Sequence, residues 1–210
     1  MSEIGQVETF FQTIATPEKP FVFRSGASLD HVNVAYETYG TLNEDASNAV
    51  LMFHAFSGSQ HAAGFNPEVE GCEFWTKECE DGWWNPFIGP GKALDTDRYF
   101  IVCANYLGGC YGTTGPSSIN PDTGKRYGSA FPNVTVNDMV RCQALLLDAL
   151  GIEQLLAVIG PSTGGLGCVS FATLFPERTR LVIPIATGVK TTVLNRIILL
   201  EQILAIENDP

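Results

Sequence analysis

Residues 155–175 read LLAVIGPSTGGLGCVSFATLF, and the residue pattern changes in the middle of this stretch. The apolar run Leu155–Ile159 predicts a strand, whereas the residues from Gly164 onward follow the amphipathic pattern of a helix. Between them, GPSTG matches the G-x-S-x-G of a nucleophile elbow, in the strand–turn–helix context that this motif requires. Such an elbow strains the serine backbone and lifts its hydroxyl clear of the sheet. Ser162 is therefore the candidate nucleophile, and the alternative is a glycine-rich turn without chemistry.

The neighbouring segments predict alternating strands and helices. Leu181–Ala186, Ala49–Phe53 and Tyr99–Ala104 are apolar runs, as expected for strands covered on both faces. Helical spacing of apolar residues predicts helices over Val136–Leu150, from the elbow to Phe175, and from about Thr192 to Glu207. This alternation implies right-handed crossovers between parallel strands.

Two N-terminal segments, Phe21–Phe23 and His31–Tyr39, alternate in the period of half-buried strands and are separated by Ser25-Gly26. They predict a hairpin-like region that supplies the antiparallel edge of the sheet. All segments together predict an α/β-hydrolase fold, with a mixed, mostly parallel sheet and helices on both faces.

The composition narrows the class of protein. The 210 residues are 45% hydrophobic with a formal net charge of −11, which suits one core and disfavours nucleic acid and anionic membrane surfaces. The N-terminus lacks a basic start followed by an apolar segment, so we expect a cytoplasmic protein. Six cysteines without a C-x-x-C pair predict free thiols and no metal site. We also expect no permanently bound cofactor.

Acyl transfer through a serine also requires two donors aimed at the developing oxyanion. In this fold one is the amide after the nucleophile, here that of Thr163, and the other comes from the loop after an earlier strand. His54–Gly58 occupies that place in the sequence. The alternative is an ordinary turn with a structural His54.

The general base is harder to find in the sequence. In this fold the chain order is serine, then acid, then histidine. The three histidines, His31, His54 and His61, all precede Ser162. Either an earlier histidine is recruited, or the base is encoded beyond this chain; the strongly apolar segment at its end favours the second.

Several stretches resemble the homoserine O-acyltransferase family of α/β-hydrolase-fold enzymes, over most of the chain from about Phe21. The most specific is Asn105–Ser118, NYLGGCYGTTGPSS. The others are His54–His61 (HAFSGSQH), Gly82–Thr96, Tyr127-Gly128 with Phe131-Pro132, the elbow, and Ala205-Ile206 with Asp209-Pro210.

The resemblance implies a ping-pong reaction of methionine biosynthesis. The serine accepts an acetyl group from acetyl-CoA and passes it to the hydroxyl of L-homoserine. Carried onto this sequence, Ser162 is the nucleophile, and the amides of Phe56 and Thr163 form the oxyanion hole. Related members use succinyl donors or accept serine, and a homodimer is possible in a full-length protein.

The sequence departs from the family in two ways. The family elbow usually reads Gly-Ser-Met-Gly-Gly, whereas Pro161 precedes and Thr163 follows the serine here. The family aspartate and histidine, with most of a helical lid, lie beyond the position that matches Pro210. We therefore expect residues 1–190 to be the N-terminal part of a hydrolase core and residues 191–210 to begin the lid.

Two other functions are compatible with these residues. An esterase or thioesterase of the same fold would carry the same elbow, because the elbow does not choose between water and an alcohol as acceptor. A non-catalytic, truncated homologue would instead bind a partner through its apolar final helix.

The missing base leads to a direct prediction. Residues 1–210 alone should transfer no acetyl group from acetyl-CoA to homoserine, because no histidine follows Ser162 to act as its general base. Purified protein of this length, assayed for release of the free thiol of coenzyme A, tests this. Transfer that depends on homoserine would contradict it.

Overall fold

The computed structural model describes residues 4–190 and 192–209. The described strands are β1 (Phe10–Ala15), β2 (Phe21–Val22), β3 (Ser28–Leu29), β4 (Val32–Tyr39), β5 (Ala49–Met52), β6 (Phe100–Ala104), β7 (Ile119–Asn120), β8 (Lys125–Arg126), β9 (Leu155–Pro161) and β10 (Thr179–Ile185). The described α-helices are α1 (Val136–Ala149), α2 (Thr163–Leu174) and α3 (Val193–Glu207).

Six of these strands form the central sheet, in the order β1-β4-β6-β5-β9-β10. The strands β6, β5, β9 and β10 are parallel to their neighbours in that order, whereas β4 is antiparallel to β6 and β1 is antiparallel to β4. The predicted mixed, mostly parallel sheet is therefore confirmed. The carboxyl ends of β5, β6 and β9 lie at one edge, which is where sites form in open α/β sheets.

The N-terminal hairpin prediction is wrong in its pairing. Phe21–Val22 pairs with Ser28–Leu29 in a separate two-stranded sheet, and β4 pairs instead with β1, a strand that the sequence pattern did not indicate. The burial of β1 explains the omission. Most of its residues are exposed or half-buried, including Phe10 and Phe11, so no clear alternation marks the strand.

The two faces of the sheet are covered differently. Residues of α1 and α2, such as Leu147 and Phe171, pack on the face that contains Leu51 and Val158. The opposite face contains Met52 and lies under loop residues, with Trp83 and Trp84 packed against it. In the described part of the chain, the long loop between β5 and β6 therefore covers the second face, whereas the helices α1 and α2 pack on the first.

The end of the described chain is apolar and exposed. The strand β10 lies at the sheet edge, and α3 has no buried residue; Leu181, Ile183, Ile197 and Leu200 are all exposed. Within the described ranges, no helix has both the length and the hydropathy needed to cross a bilayer. Thr191 and Pro210, which bound the predicted lid segment, lie outside the described residues.

A buried ionic network ties the long loop to β4. Both ring nitrogens of His61 face acceptors, because Nδ1 lies 2.8 Å from Glu37 Oε2 and Nε2 lies 2.9 Å from the Glu80 carbonyl oxygen. The His61 ring thus bridges the Glu37 carboxylate on β4 and the Glu80 carbonyl oxygen in the loop. Thr9 Oγ1 and Asn66 Nδ2 donate to Glu37 Oε1 at 2.7 and 2.9 Å. The contacts that His61 and Asn66 make with Glu37 hold this loop against the sheet.

The network makes the pKa of Glu37 a stability determinant. Burial alone would raise this pKa, but the hydrogen bond and charge of His61, with the hydrogen bonds from Thr9 and Asn66, outweigh burial and lower it. A lowered folded-state pKa means that the contribution to stability is present above the unfolded pKa. It is lost as the pH falls through the folded pKa.

We therefore predict that Glu37→Gln lowers the free energy of unfolding by about 1–3 kcal/mol at neutral pH, because it removes the charged acceptor of a buried hydrogen-bond network. The variant should also lose part of the acid sensitivity of the wild type below about pH 4. Urea titrations across pH measure both effects. Glu44→Gln, at an exposed position, is the matched control, and equal stability of the two variants would refute the assignment.

Candidate active site

Ser162 occupies the junction between β9 and α2, as the elbow predicts. It is the N-cap of α2 with φ +53° and ψ −116°, in the left-handed region that favours glycine, and its side chain is exposed. Its N–H donates to the Ile185 carbonyl oxygen at 2.9 Å, and the N–H of Gly165 donates to its carbonyl oxygen at 3.0 Å. A non-glycine residue in this conformation costs about 1–3 kcal/mol, so the surrounding hydrogen bonds must hold the strained backbone in place.

The elbow packs directly on the backbone that follows β5. A Cβ added at Gly160 would lie 2.6 Å from the Phe53 carbonyl oxygen, and a Cβ at Gly164 would overlap the same oxygen. The Phe53 N–H also donates to the Ile159 carbonyl oxygen at 2.9 Å, which continues the pairing of β5 with β9. The two glycines are therefore required for contact between the elbow and the His54–Gly58 loop.

The two predicted oxyanion donors lie on either side of this contact. Thr163 is the first residue of α2, so its N–H has no acceptor within the helix. Phe56 lies in the loop after β5 and is 86% exposed. The loop turns at this point, since the Gly58 N–H donates to the Ala55 carbonyl oxygen at 2.9 Å. The structure thus brings together the two segments that carry the predicted donors.

His54 is a structural residue of this loop. Its side chain is buried, and burial lowers the pKa of its imidazole to about 4. Nδ1 lies 2.7 Å from the Ala55 carbonyl oxygen, and the ring lies against the Tyr106 ring, with 3.9 Å between the centroids. The imidazole is therefore neutral and held by its own loop. His54 therefore has the structural role that is the alternative to a functional one for this turn.

The other two histidines, His31 and His61, do not contact Ser162 either. His61 is engaged at both ring nitrogens by Glu37 and Glu80, and His31 is exposed near Glu18. In the described residues no hydrogen bond joins a histidine to Ser162. Recruitment of an earlier histidine as the base is not supported by these contacts.

Sequence analysis missed the residues that support the loop from below. Tyr106 follows β6, and its hydroxyl donates to the His54 carbonyl oxygen at 2.6 Å. It also missed Glu37, although a signal was present. Glu37 shares a strand face with Ala35 and Tyr39, and a charged residue at such an inward position indicates a buried partner.

Comparisons with known proteins agree with this geometry. A family model described as the alpha/beta hydrolase fold matches residues 48–200. A homoserine O-acetyltransferase from Deferribacter desulfuricans is 51% identical over 192 residues, which cover 91% of this chain and 48% of that protein. The chain thus spans about half the length of the curated relatives that it matches.

Solved structures include both transferases and esterases. The structure of esterase E22 superposes with a TM-score of 0.72 at 41% identity, covering 84% of this chain and 46% of that one. A homoserine O-acetyltransferase from Bacillus anthracis superposes with a TM-score of 0.70 at 38% identity, covering 86% and 46%. The family model, the sheet order and the strained serine at the end of β9 agree, and this chain belongs to the α/β-hydrolase fold family, with homoserine O-acetyltransferases among its relatives.

Proposed function

We propose that this chain carries the nucleophile of an acyltransferase that moves an acetyl group from acetyl-CoA to the hydroxyl of L-homoserine. The observation that carries the proposal is the strained, exposed Ser162 at the β9–α2 junction, packed against the loop after β5. The identity of about 50% to curated homoserine O-acetyltransferases supports the choice of acceptor.

The proposed reaction has two half-reactions. The Ser162 oxygen attacks the thioester carbonyl carbon, and the amides of Phe56 and Thr163 stabilise the negative charge on the carbonyl oxygen. The thiol of coenzyme A leaves with a proton, and an acetyl ester remains on Ser162. The homoserine hydroxyl then attacks this ester, and release of O-acetylhomoserine returns the proton to Ser162.

The proton transfers require a base that the described histidines do not supply. His54 and His61 are committed to structural hydrogen bonds, so we propose that the base and its acid partner come from outside the described residues. In the same proposal, residues 191–210 begin the lid, and residues 1–190 belong to the core. The protein acts in methionine biosynthesis in the cytoplasm, with small-molecule substrates and possible assembly into a homodimer.

Acetylation of the protein itself tests Ser162 as the nucleophile. The gene product that contains these residues should gain the mass of one acetyl group when mixed with acetyl-CoA, and Ser162→Ala should abolish this gain, because no other group forms the ester. Intact-mass spectrometry measures it. Ser25→Ala, in an exposed turn far from the elbow in sequence, is the control that should acetylate normally. Acetylation that persists in Ser162→Ala would remove the assigned nucleophile.

An acetyl esterase is the second candidate function. The likeness to esterase E22 favours it, and so does the exposure of Ser162, which leaves the acyl-enzyme open to water in the described residues. The two functions differ in the fate of the acetyl group.

The acceptor dependence separates the two candidates. For a transferase, homoserine should accelerate release of the coenzyme A thiol by at least tenfold, and the acetyl group should appear as O-acetylhomoserine. The reason is that water is excluded from the acyl-enzyme, which is therefore attacked mainly by the alcohol. For an esterase, free acetate should form at the same rate with and without homoserine. Nuclear magnetic resonance of the products distinguishes these outcomes, with Ser162→Ala as the blank.

A further inference from the structure

Tyr106 contacts the loop that carries Phe56 in two ways. It follows β6 and is buried, and its hydroxyl donates to the His54 carbonyl oxygen at 2.6 Å. Its ring lies against the His54 ring, with 3.9 Å between the centroids, and is stacked beside the Phe53 ring at 6.5 Å. A single side chain thus holds both the main chain and the imidazole of His54.

The Tyr106 hydroxyl bonds a carbonyl that lies beyond the sheet. The strand β5 ends at Met52, and the Phe53 N–H still donates to the Ile159 carbonyl oxygen at 2.9 Å. His54 comes after this contact, and a side chain takes the place of a neighbouring strand as the partner of its carbonyl oxygen. Burial raises the pKa of the Tyr106 hydroxyl far above its usual value, so the hydroxyl keeps its hydrogen and can donate at neutral pH.

The direction of the Phe56 N–H is set by the peptide unit to which it belongs. A peptide unit is planar and trans, so the Ala55 carbonyl and the Phe56 N–H point in opposite directions. Two donors bond the Ala55 carbonyl oxygen, namely Nδ1 of His54 at 2.7 Å and the Gly58 N–H at 2.9 Å. The carbonyl oxygen only accepts, so Nδ1 carries the hydrogen of this contact. Because the two donors fix the direction of the carbonyl, they also fix the direction of the Phe56 N–H.

We propose that Tyr106 is a positioning residue for the oxyanion hole, because it holds His54 and thereby the peptide unit that presents the Phe56 N–H. The proposal rests on the function proposed for Phe56. Tyr106 acts through the main chain and ring of His54, and it need not touch a substrate.

The two proposed oxyanion donors differ in what holds them. Thr163 is the first residue of α2, so the helix fixes the direction of its N–H. Phe56 is largely exposed, so its own side chain contributes little packing, and its amide depends on the contacts of the preceding residues. Loss of the Tyr106 hydroxyl should therefore disturb one donor and spare the other.

Carbon-13 and nitrogen-15 spectra of the gene product that contains these residues test the positioning role. In the wild type, the Phe56 amide should be as rigid as the amides of β9. Tyr106→Phe removes the hydroxyl and keeps the ring, so the carbonyl-carbon signal of His54 should shift and the Phe56 amide should become more mobile. The Thr163 amide should keep its wild-type mobility.

Tyr99→Phe is the matched control for these spectra. Tyr99 is half-buried and lies just before β6, whereas Tyr106 follows this strand, so the control removes a tyrosine hydroxyl at the opposite end. A mobile Phe56 amide in the wild type, or His54 and Phe56 signals unchanged by Tyr106→Phe, would overturn the proposal. Equal gains in mobility at Phe56 and Thr163 would also contradict it, because they would indicate general loosening of the site.

Kinetics test the consequence for the proposed reaction. If the gene product forms the acyl-enzyme, Tyr106→Phe should lower the maximal acylation rate about tenfold while the acetyl-CoA concentration for half-maximal rate changes less than about twofold, because a displaced oxyanion donor weakens mainly transition-state binding. Tyr99→Phe should acylate at the wild-type rate. Weaker binding of acetyl-CoA with an unchanged maximal rate would contradict positioning.

The spectra and the kinetics separate this proposal from the proposed function. Absence of an acyl-enzyme in the wild type would refute the function, whereas the His54 and Phe56 signals would still decide whether Tyr106 positions the loop. Acylation at the wild-type rate in Tyr106→Phe would refute the positioning role and leave the function in place.

Discussion

The close approach of two backbones, at the start of α2 and the end of β5, is the constraint on which the candidate site depends. The Phe53 carbonyl oxygen occupies the space that a Cβ would need at Gly160 and at Gly164. Since both partners are main chain, neither can move away without disturbing the β5–β9 pairing. Because Gly160 and Gly164 have no side chain, the elbow that carries the strained serine contacts the backbone after β5. One proposed oxyanion donor comes from each of these two segments.

The second half of the chain could be predicted from sequence because each element there has a local signal. Gly151 follows α1 with φ +73°, as a helix stop should, and Thr135 and Asp138 form a capping box at its start. The predicted strands and helices of this half differ from the observed ones by no more than two residues at each end. Local chemistry and tertiary contacts agree here, which is the condition under which pattern reasoning succeeds.

The parts that sequence did not predict depend on contacts between distant residues. The pairing of β1 with β4 needs no particular residue pattern in β1, because that strand is at the sheet edge and packs mainly through its backbone and one side. The roles of the histidines were equally hidden. Nothing near His61 in sequence shows that its ring meets a carboxylate on β4, and His54 is held in place by Tyr106, which follows another strand.

The choice between transfer and hydrolysis depends on what covers Ser162, because the nucleophile end of the site is compatible with both. Esterase E22 and the Bacillus anthracis transferase have similar TM-scores and identities to this chain, so the shared elbow does not distinguish an alcohol acceptor from water. In the described residues, Ser162 and Phe56 are exposed, and an ester on Ser162 would meet solvent. A transferase must exclude that solvent for the lifetime of the acyl-enzyme. Under the proposed function, residues that close over this surface select the acceptor, and Ser162 is the proposed nucleophile for both candidate reactions.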